Sequence, residues 1–319
     1  ENYLFNYYPQ QEGLEDLRRS VQKLMLDSAV YASREQLALT SGTQQALYIL
    51  SKIEFPNQKE HILVEQPTYH RINDLLLAQK LPYETIERTP QGINLQELER
   101  IFQSGKIKFF YTIPRFHYPL GHSYSRQEKE EILRLAQLYD VYIVEDDYLS
   151  DFDSRRELTF HYLDNSQRVI YIKSFSTSLF PALRITALLL PPQIQKTFIA
   201  YKSAVDYDSN LIMQKALSLY IDSLMFEKNR LALLQLQEEK ARKAQILLEQ
   251  AQLPLSNYLT KDGVLLDLRS LSSVSALKHS CLPLDFFEQS YLSSCPYQYA
   301  KLSYDNLEEN VEKLKDYLK

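Results

Sequence analysis

The chain has 319 residues, 45% hydrophobic and 24% charged, with 36 Lys and Arg against 41 Asp and Glu and a net charge of −5. That apolar content excludes a disordered chain, and no run of about 18 apolar residues is present to span a bilayer. The acidic balance excludes a surface that grips nucleic acid by charge alone. Two cysteines, Cys281 and Cys295, are too few for a disulfide framework or a metal knuckle and predict a reducing, cytoplasmic setting.

At roughly 150 residues per domain, the length predicts two domains. The opening Glu1-Asn2-Tyr3-Leu4-Phe5 is aromatic and acidic, unlike a signal peptide, and the missing initial Met points to a fragment or a processed chain. Only six glycines occur, where average usage predicts about 22. Each therefore marks a backbone demand, Gly42 and Gly121 foremost.

Leu14, Leu17, Val21 and Leu24 recur at helical spacing. From Gln36 onward, short apolar runs alternate with amphipathic helices. Leu37-Ala38-Leu39-Thr40 reads as a strand ending at Gly42, followed by a helix through Ala46, Leu47 and Leu50. His61-Ile62-Leu63-Val64 is a second strand, followed by a helix over 69–79, and Lys108-Phe109-Phe110-Tyr111-Thr112 is a third. Ser125-Arg126-Gln127-Glu128 is a capping box. Val141-Tyr142-Ile143-Val144 then runs into three acids, and Val169-Ile170-Tyr171-Ile172 into a serine-rich turn. Strands apolar on both faces, separated by helices, predict a mostly parallel sheet covered on both sides. Residues 193–250 are helical in character. Beyond Pro254 come short strands such as Gly263-Val264-Leu265-Leu266-Asp267-Leu268, and a last helix capped by Asn306 with Leu307, Val311, Leu314 and Leu318 on one face. This is a second, smaller α+β unit.

In open α/β sheets, ligands sit at the carboxyl ends of the strands, and four motifs fall there. Ser41-Gly42-Thr43-Gln44 offers free helix-start N–H groups to a phosphate, though an ordinary strand-to-helix turn explains it equally well. Glu65-Gln66-Pro67-Thr68-Tyr69 places a tyrosine to stack on a flat ring, in a chain that has 24 tyrosines. Glu145-Asp146-Asp147-Tyr148 puts acids at a buried strand end, where they need a cationic partner such as a protonated ring nitrogen. An acid-rich helix start is the plain alternative, and the six histidines lack metal-ligand spacing. Ser174-Phe175-Ser176-Thr177 followed by Arg184 can bind a phosphate, although hydroxyl-rich turns are common.

Taken in order, these motifs resemble fold-type I pyridoxal-phosphate enzymes, with Tyr118-Pro119-Leu120-Gly121 in the family's N-P-T-G region. More narrowly the chain resembles the aminotransferase-like domain of MocR/GabR-type transcription regulators of the GntR family. Those read E-D-D-Y-D-S-E-F at 145–152 and V-I-Y-x-G-T-F-S-K-S-L-x-P-x-L-R at 169–184. The resemblance covers essentially the whole chain and is strongest over 36–184. It implies an α/β fold with a large domain at 30–205, built on a mostly parallel sheet of the seven-stranded type. Residues 1–29 and 206–319 would supply the N-terminal segment, a connecting helix and the small α+β domain. It also implies that Gly42, Thr43, Gln44, Ser174 and Arg184 hold the phosphate, Tyr69 stacks on the pyridine, Asp146 pairs with its nitrogen and Tyr148 reaches the ring hydroxyl.

Three departures weigh against catalysis. The family's Schiff-base lysine falls on Thr177, which has no amine and no useful basicity. Lys173, four residues earlier at the family's glycine position, is expected to point elsewhere. The carboxylate-clamping arginine of an R-L-S-F-like strand falls on Lys301 of Lys301-Leu302-Ser303-Tyr304, which keeps the charge but loses the bidentate fork. The family's helical H-x-R-R-M-R stretch is replaced by Glu227-Lys228-Asn229-Arg230-Leu231-Ala232. The expectation is thus a catalytically silent, effector-sensing domain that dimerises and reaches DNA only through a separate winged-helix domain. Pyridoxal phosphate, or a pyridoxamine or amino-acid adduct, would bind noncovalently. The competing reading is a free-standing aminotransferase or a catalytic-lysine variant of one.

Overall fold

The computed structural model describes residues 11–26, 28–154, 157–271, 274–280 and 282–318. The aromatic opening at 1–5 and Cys281 lie outside the described residues.

Helix α1 (Glu15–Leu26) buries Leu17, Val21 and Met25, spaced four apart. Then come β1 (Leu37–Thr40), α2 (Thr43–Lys52), β2 (His61–Gln66), α3 (His70–Ala78), β3 (Tyr83–Thr89), β4 (Gly92–Ile93), α4 (Leu95–Gln103) and β5 (Ile107–Thr112). They are followed by α5 (Arg126–Leu138), β6 (Tyr142–Asp146), the short α6 (Phe160–Leu163), β7 (Val169–Ser174) and β8 (Thr186–Leu189). The helical stretch divides into α7 (Pro192–Val205), α8 (Leu211–Asp222) and the long α9 (Met225–Ala251). The chain closes with β9 (Asn257–Leu259), β10 (Gly263–Asp267), α10 (Ser275–Lys278), β11 (Leu284–Asp285), β12 (Tyr299–Ser303) and α11 (Leu307–Tyr317).

The large sheet has eight strands in the order β1-β8-β7-β6-β5-β2-β3-β4. Strands β7, β6, β5, β2 and β3 run parallel, while β8 lies antiparallel to β7 and β1 antiparallel to β8. The strand beyond the expected seven is the two-residue β4, paired with Arg88 and Thr89 at one edge. Alternation along the strands explains their double-sided apolarity. Phe109, Val144, Ile170 and Leu188 face a core with α2, α3 and α7. Phe110 and Ile143 face α4 and α5, and Leu39, Tyr171 and Leu189 face α1 and Leu217 of α8. Of the 1–29 and 206–319 group, Leu14, Leu17, Val21, Met25, Leu217 and Phe226 therefore rest on the large sheet.

The second sheet is antiparallel, in the order β11-β12-β10-β9, and packs with Ala244, Leu248, Val311 and Leu314 of α9 and α11. The capping box at Ser125 forms, with both reciprocal bonds to Glu128. Asn306 does not cap as expected: it precedes α11 in a left-handed conformation, φ 54°, and its side chain makes no cap hydrogen bond.

Register positions the site. Thr40 pairs with Thr186, Thr186 with Ser174, and Asp146 with Ile172. The carboxyl ends of β1, β6 and β7 and the start of β8 therefore share one edge.

Candidate ligand-binding site

The turn from β1 into α2 forms one wall. Gly42 sits at φ 88°, and a Cβ there would lie 2.5 Å from Nη2 of Arg184. Only glycine lets the guanidinium come this close without strain. Arg184, at φ 52°, donates to the Ser41 carbonyl (3.2 Å) and to Oε1 of Gln44 (3.1 Å). Thr43 Oγ1 lies 3.3 Å from Thr186 Oγ1, and Ser174 Oγ accepts from the Ser176 N–H at 3.2 Å. The first-turn N–H groups of α2, the hydroxyls and the guanidinium thus converge as in an anion site. Asp206, after α7, braces the turn by accepting from Ser41 Oγ (3.0 Å) and Gln45 Nε2 (2.8 Å). It lies 165 residues from Ser41 in sequence, so no local pattern announces it.

The three acids at the end of β6, Glu145 and Asp146 within it and Asp147 just beyond, have different partners. Glu145 accepts the N–H groups of Phe160 and His161, each at 2.9 Å, while burial pushes its carboxyl up to about 7. Asp147 is paired with buried Arg115 and accepts from Tyr171 OH at 2.6 Å. Asp146 accepts from Tyr111 OH through Oδ2 at 2.7 Å, but its buried Oδ1 has no partner. Burial raises the Asp146 carboxyl to about 7. Leaving a buried acceptor unsatisfied is costly, and this oxygen belongs to a residue lining an open cavity.

That cavity measures about 380 Å³ and collects Thr43, Gln44, Tyr69, Asp146, Tyr148, Ser174, Thr177 and Arg184. Gly42 contributes by letting Arg184 in. The half-buried Tyr69 directly precedes α3, where burial and then the charge of Asp146 raise its phenol. Tyr148 lines the wall, but its hydroxyl donates to the Phe116 carbonyl at 3.1 Å. Sequence reasoning did not single out His70, Ile113, Tyr118, Ser176 and Pro181 as site residues, yet they complete the lining. Tyr118 and Ser176 did sit inside quoted motifs, whereas His70 carried no signal of its own.

The two lysines lie elsewhere. Lys173 is buried outside the cavity lining, with Nζ 2.6 Å from Asp151 Oδ1 and 2.8 Å from Ser150 Oγ. Lys301 is also absent from the lining and pairs with Asp262 at 2.6 Å. Among the described residues, no group of three His, Cys, Asp or Glu is placed to hold a metal ion.

The model of aminotransferase class I and II matches residues 1–253. The chain belongs to that family. Its relatives include regulators: it is 44% identical over 231 residues to an uncharacterized HTH-type transcriptional regulator, YcxD of Bacillus subtilis, covering 72% of this chain and 52% of the relative. To the probable rhizopine catabolism regulatory protein MocR of Rhizobium meliloti it is 30% identical over 207 residues, 64% of this chain and 41% of the relative. The chain thus spans about half the length of these curated relatives. Among solved structures, the kynurenine aminotransferase of Pyrococcus horikoshii, in complex with PMP, superposes with a TM-score of 0.83 at 23% identity. That match covers 99% of this chain and 84% of the other. The fold is the fold-type I aminotransferase fold. No described helix is long and apolar enough to cross a membrane.

Proposed function

We propose that this chain is the effector-sensing, aminotransferase-like domain of a MocR/GabR-type transcription regulator and performs no transamination. The observation that carries the reading is Thr177, which has no amine, in the wall of a cavity that Thr43, Gln44, Tyr69, Asp146, Tyr148, Ser174 and Arg184 also line. The fit to a phosphorylated pyridine rests on two features of this chain. One is the Gly42 cradle that a Cβ would fill, and the other is the unpartnered Oδ1 of Asp146. Arg184, Ser174 and the first turn of α2 would hold the phosphate, Tyr69 would cover one ring face, and Asp146 would face a protonated ring nitrogen.

When bound, pyridoxal phosphate supplies an electrophilic carbonyl on an electron-withdrawing ring. Thr177 would offer only a hydroxyl there, which neither captures a carbonyl nor moves a carbon-bound proton at neutral pH. Asp146 exchanges its buried unsatisfied oxygen for a charge-assisted bond, and Arg184 supplies the charge that anchors the anion. Binding without turnover is what these groups can do. The ligand is thus held noncovalently, and a pyridoxamine or amino-acid adduct, which never needed a lysine, binds more tightly than the aldehyde.

The same reading includes a homodimer in the cytoplasm that reaches DNA through a separate domain. Ile212, Leu219 and Leu224, exposed at 69%, 58% and 72% around α8, favour a second copy packing there.

Titration calorimetry with pyridoxamine phosphate tests the reading. Saturable binding to the wild type should weaken by about a hundredfold in Arg184→Met, as loss of a charged phosphate contact predicts. Equal affinities, or no binding, would overturn it. The same samples should sediment as dimers at micromolar concentration, and a monomer would contradict that part.

A further inference from the structure

Beside the cavity lies a second cation that is already engaged. Lys301 of β12 has a side chain only 8% exposed, and its ammonium is 2.6 Å from Asp262 Oδ2. It lies 5.1 Å from the ring centre of Tyr118, which lines the cavity, and 5.4 Å from that of Phe287. Asp262 occupies the turn between β9 and β10, and its side chain is 56% exposed. Its other oxygen accepts from Thr260 Oγ1 at 2.9 Å. The turn also packs against Gly121, three residues after Tyr118, where a Cβ would lie 2.5 Å from Thr260 Cγ2. Burial and neighbouring acids, Asp262 among them, push the Tyr118 phenol up to about 12 and raise that of Tyr148.

The pair is asymmetric. Lys301 is packed under aromatic rings, whereas Asp262 is the exposed residue of its turn, between buried Thr260 and Gly263. We propose that Asp262 is an internal stand-in for a ligand carboxylate, so that an effector bearing a carboxylate must displace it from Lys301. The proposal rests on the cavity reading above and deepens it. To the carboxylate site that the resemblance already implies at Lys301, this adds an internal competitor, which a carboxylate-bearing ligand extending from the cavity toward β12 must displace. Its arrival moves the 260–263 turn of the small sheet, which Tyr304 OH also holds through the Thr260 carbonyl at 2.6 Å. Asp262 thereby sets the threshold for carboxylate binding, and a carboxylate-free ligand leaves the pair closed.

Two probes separate these possibilities: pyridoxamine phosphate, which has no carboxylate, and the reduced phosphopyridoxyl adduct of leucine, which has one. Calorimetry on the whole chain should show the ratio of adduct to pyridoxamine phosphate affinity rising about fivefold in Asp262→Asn, the scale of a partly exposed ion pair. In Lys301→Met the ratio should fall, and adding Asp262→Asn to that variant should change nothing further. A misfolded variant would lose both ligands together, which leaves the ratio as the diagnostic quantity. If pyridoxamine phosphate binds and the ratio is the same in wild type and Asp262→Asn, the exchange is overturned. If neither compound binds any variant, the cavity reading fails and the exchange with it.

Discussion

At the residue scale, Asp146 is where fold and function pull in opposite directions. Burial lifts its carboxyl from 3.8 to about 7. A carboxyl whose pKa is higher in the folded state than in the unfolded chain keeps its proton more firmly when folded. Between about pH 4 and pH 7 the native state therefore binds more protons, and its stability from this group falls as the pH rises. Above pH 7 the ionised form is buried without a cation, and the full penalty applies. Asp146→Asn removes the titration while an amide oxygen can still accept from Tyr111. The ligand-free variant should be more stable than the wild type at pH 8, by on the order of 1–3 kcal/mol. The difference should shrink to nothing near pH 4. Denaturant unfolding at the two pH values reads this directly, and a parallel pair of stability curves would contradict it. Glu145 also rises to about 7 through burial, but its two backbone donors make it a fixed background to the comparison.

At the element scale, the end of β7 shows how a lysine can sit near the expected position and still be unavailable. Ser174 lines the cavity, and Lys173, the preceding strand residue, turns to the opposite face by simple alternation. There it pairs with Asp151, whose other oxygen accepts from Ser178 Oγ at 2.5 Å. The pair ties the loop carrying Thr177 to the turn after β6. Lys173→Ala should cost about 3–5 kcal/mol, because it leaves a buried carboxylate without its cation. Lys173→Met combined with Asp151→Leu should cost clearly less, and equal losses in unfolding experiments would show that the charge pair is not the cause.

This scale also shows what the sequence made legible. Strands buried on both faces announce themselves as apolar runs, which is why β1, β2, β5, β6 and β7 were readable. Strand β3 was not, because it buries only Ile86 and Arg88 among its seven residues, with Thr85 and Glu87 exposed and Glu84 and Thr89 half-buried. Strand β8 is wholly buried but has four residues and follows Arg184 almost at once. It lies outside the quoted motif, which stops at Arg184, and has no signal of its own. Asn306 was placed at the right boundary, but cap preference is a statement about side chains, and the left-handed backbone there prevents the bond.

At the scale of the whole molecule, the site is a product of register. Gly42, Asp146 and the Ser174–Arg184 segment are far apart in sequence, and the sheet order sets them on one edge. Residue types at strand ends made those positions legible. The pairing of Lys301 with Asp262 was not, because it depends on how β12 lies against β10. The same holds for Asp206 beneath the Gly42 turn. On the proposed reading, a domain that binds and does not turn over keeps the anion cradle and the buried acid and drops the amine. The most direct test of that account is peptide mass mapping after pyridoxal phosphate and borohydride are added to the folded protein. The peptide spanning residues 169–184 should gain no mass in the wild type and should gain the reduced cofactor at position 177 in Thr177→Lys. A cofactor-sized mass on Lys173 in the wild type would contradict the account and return the chain to the enzymes.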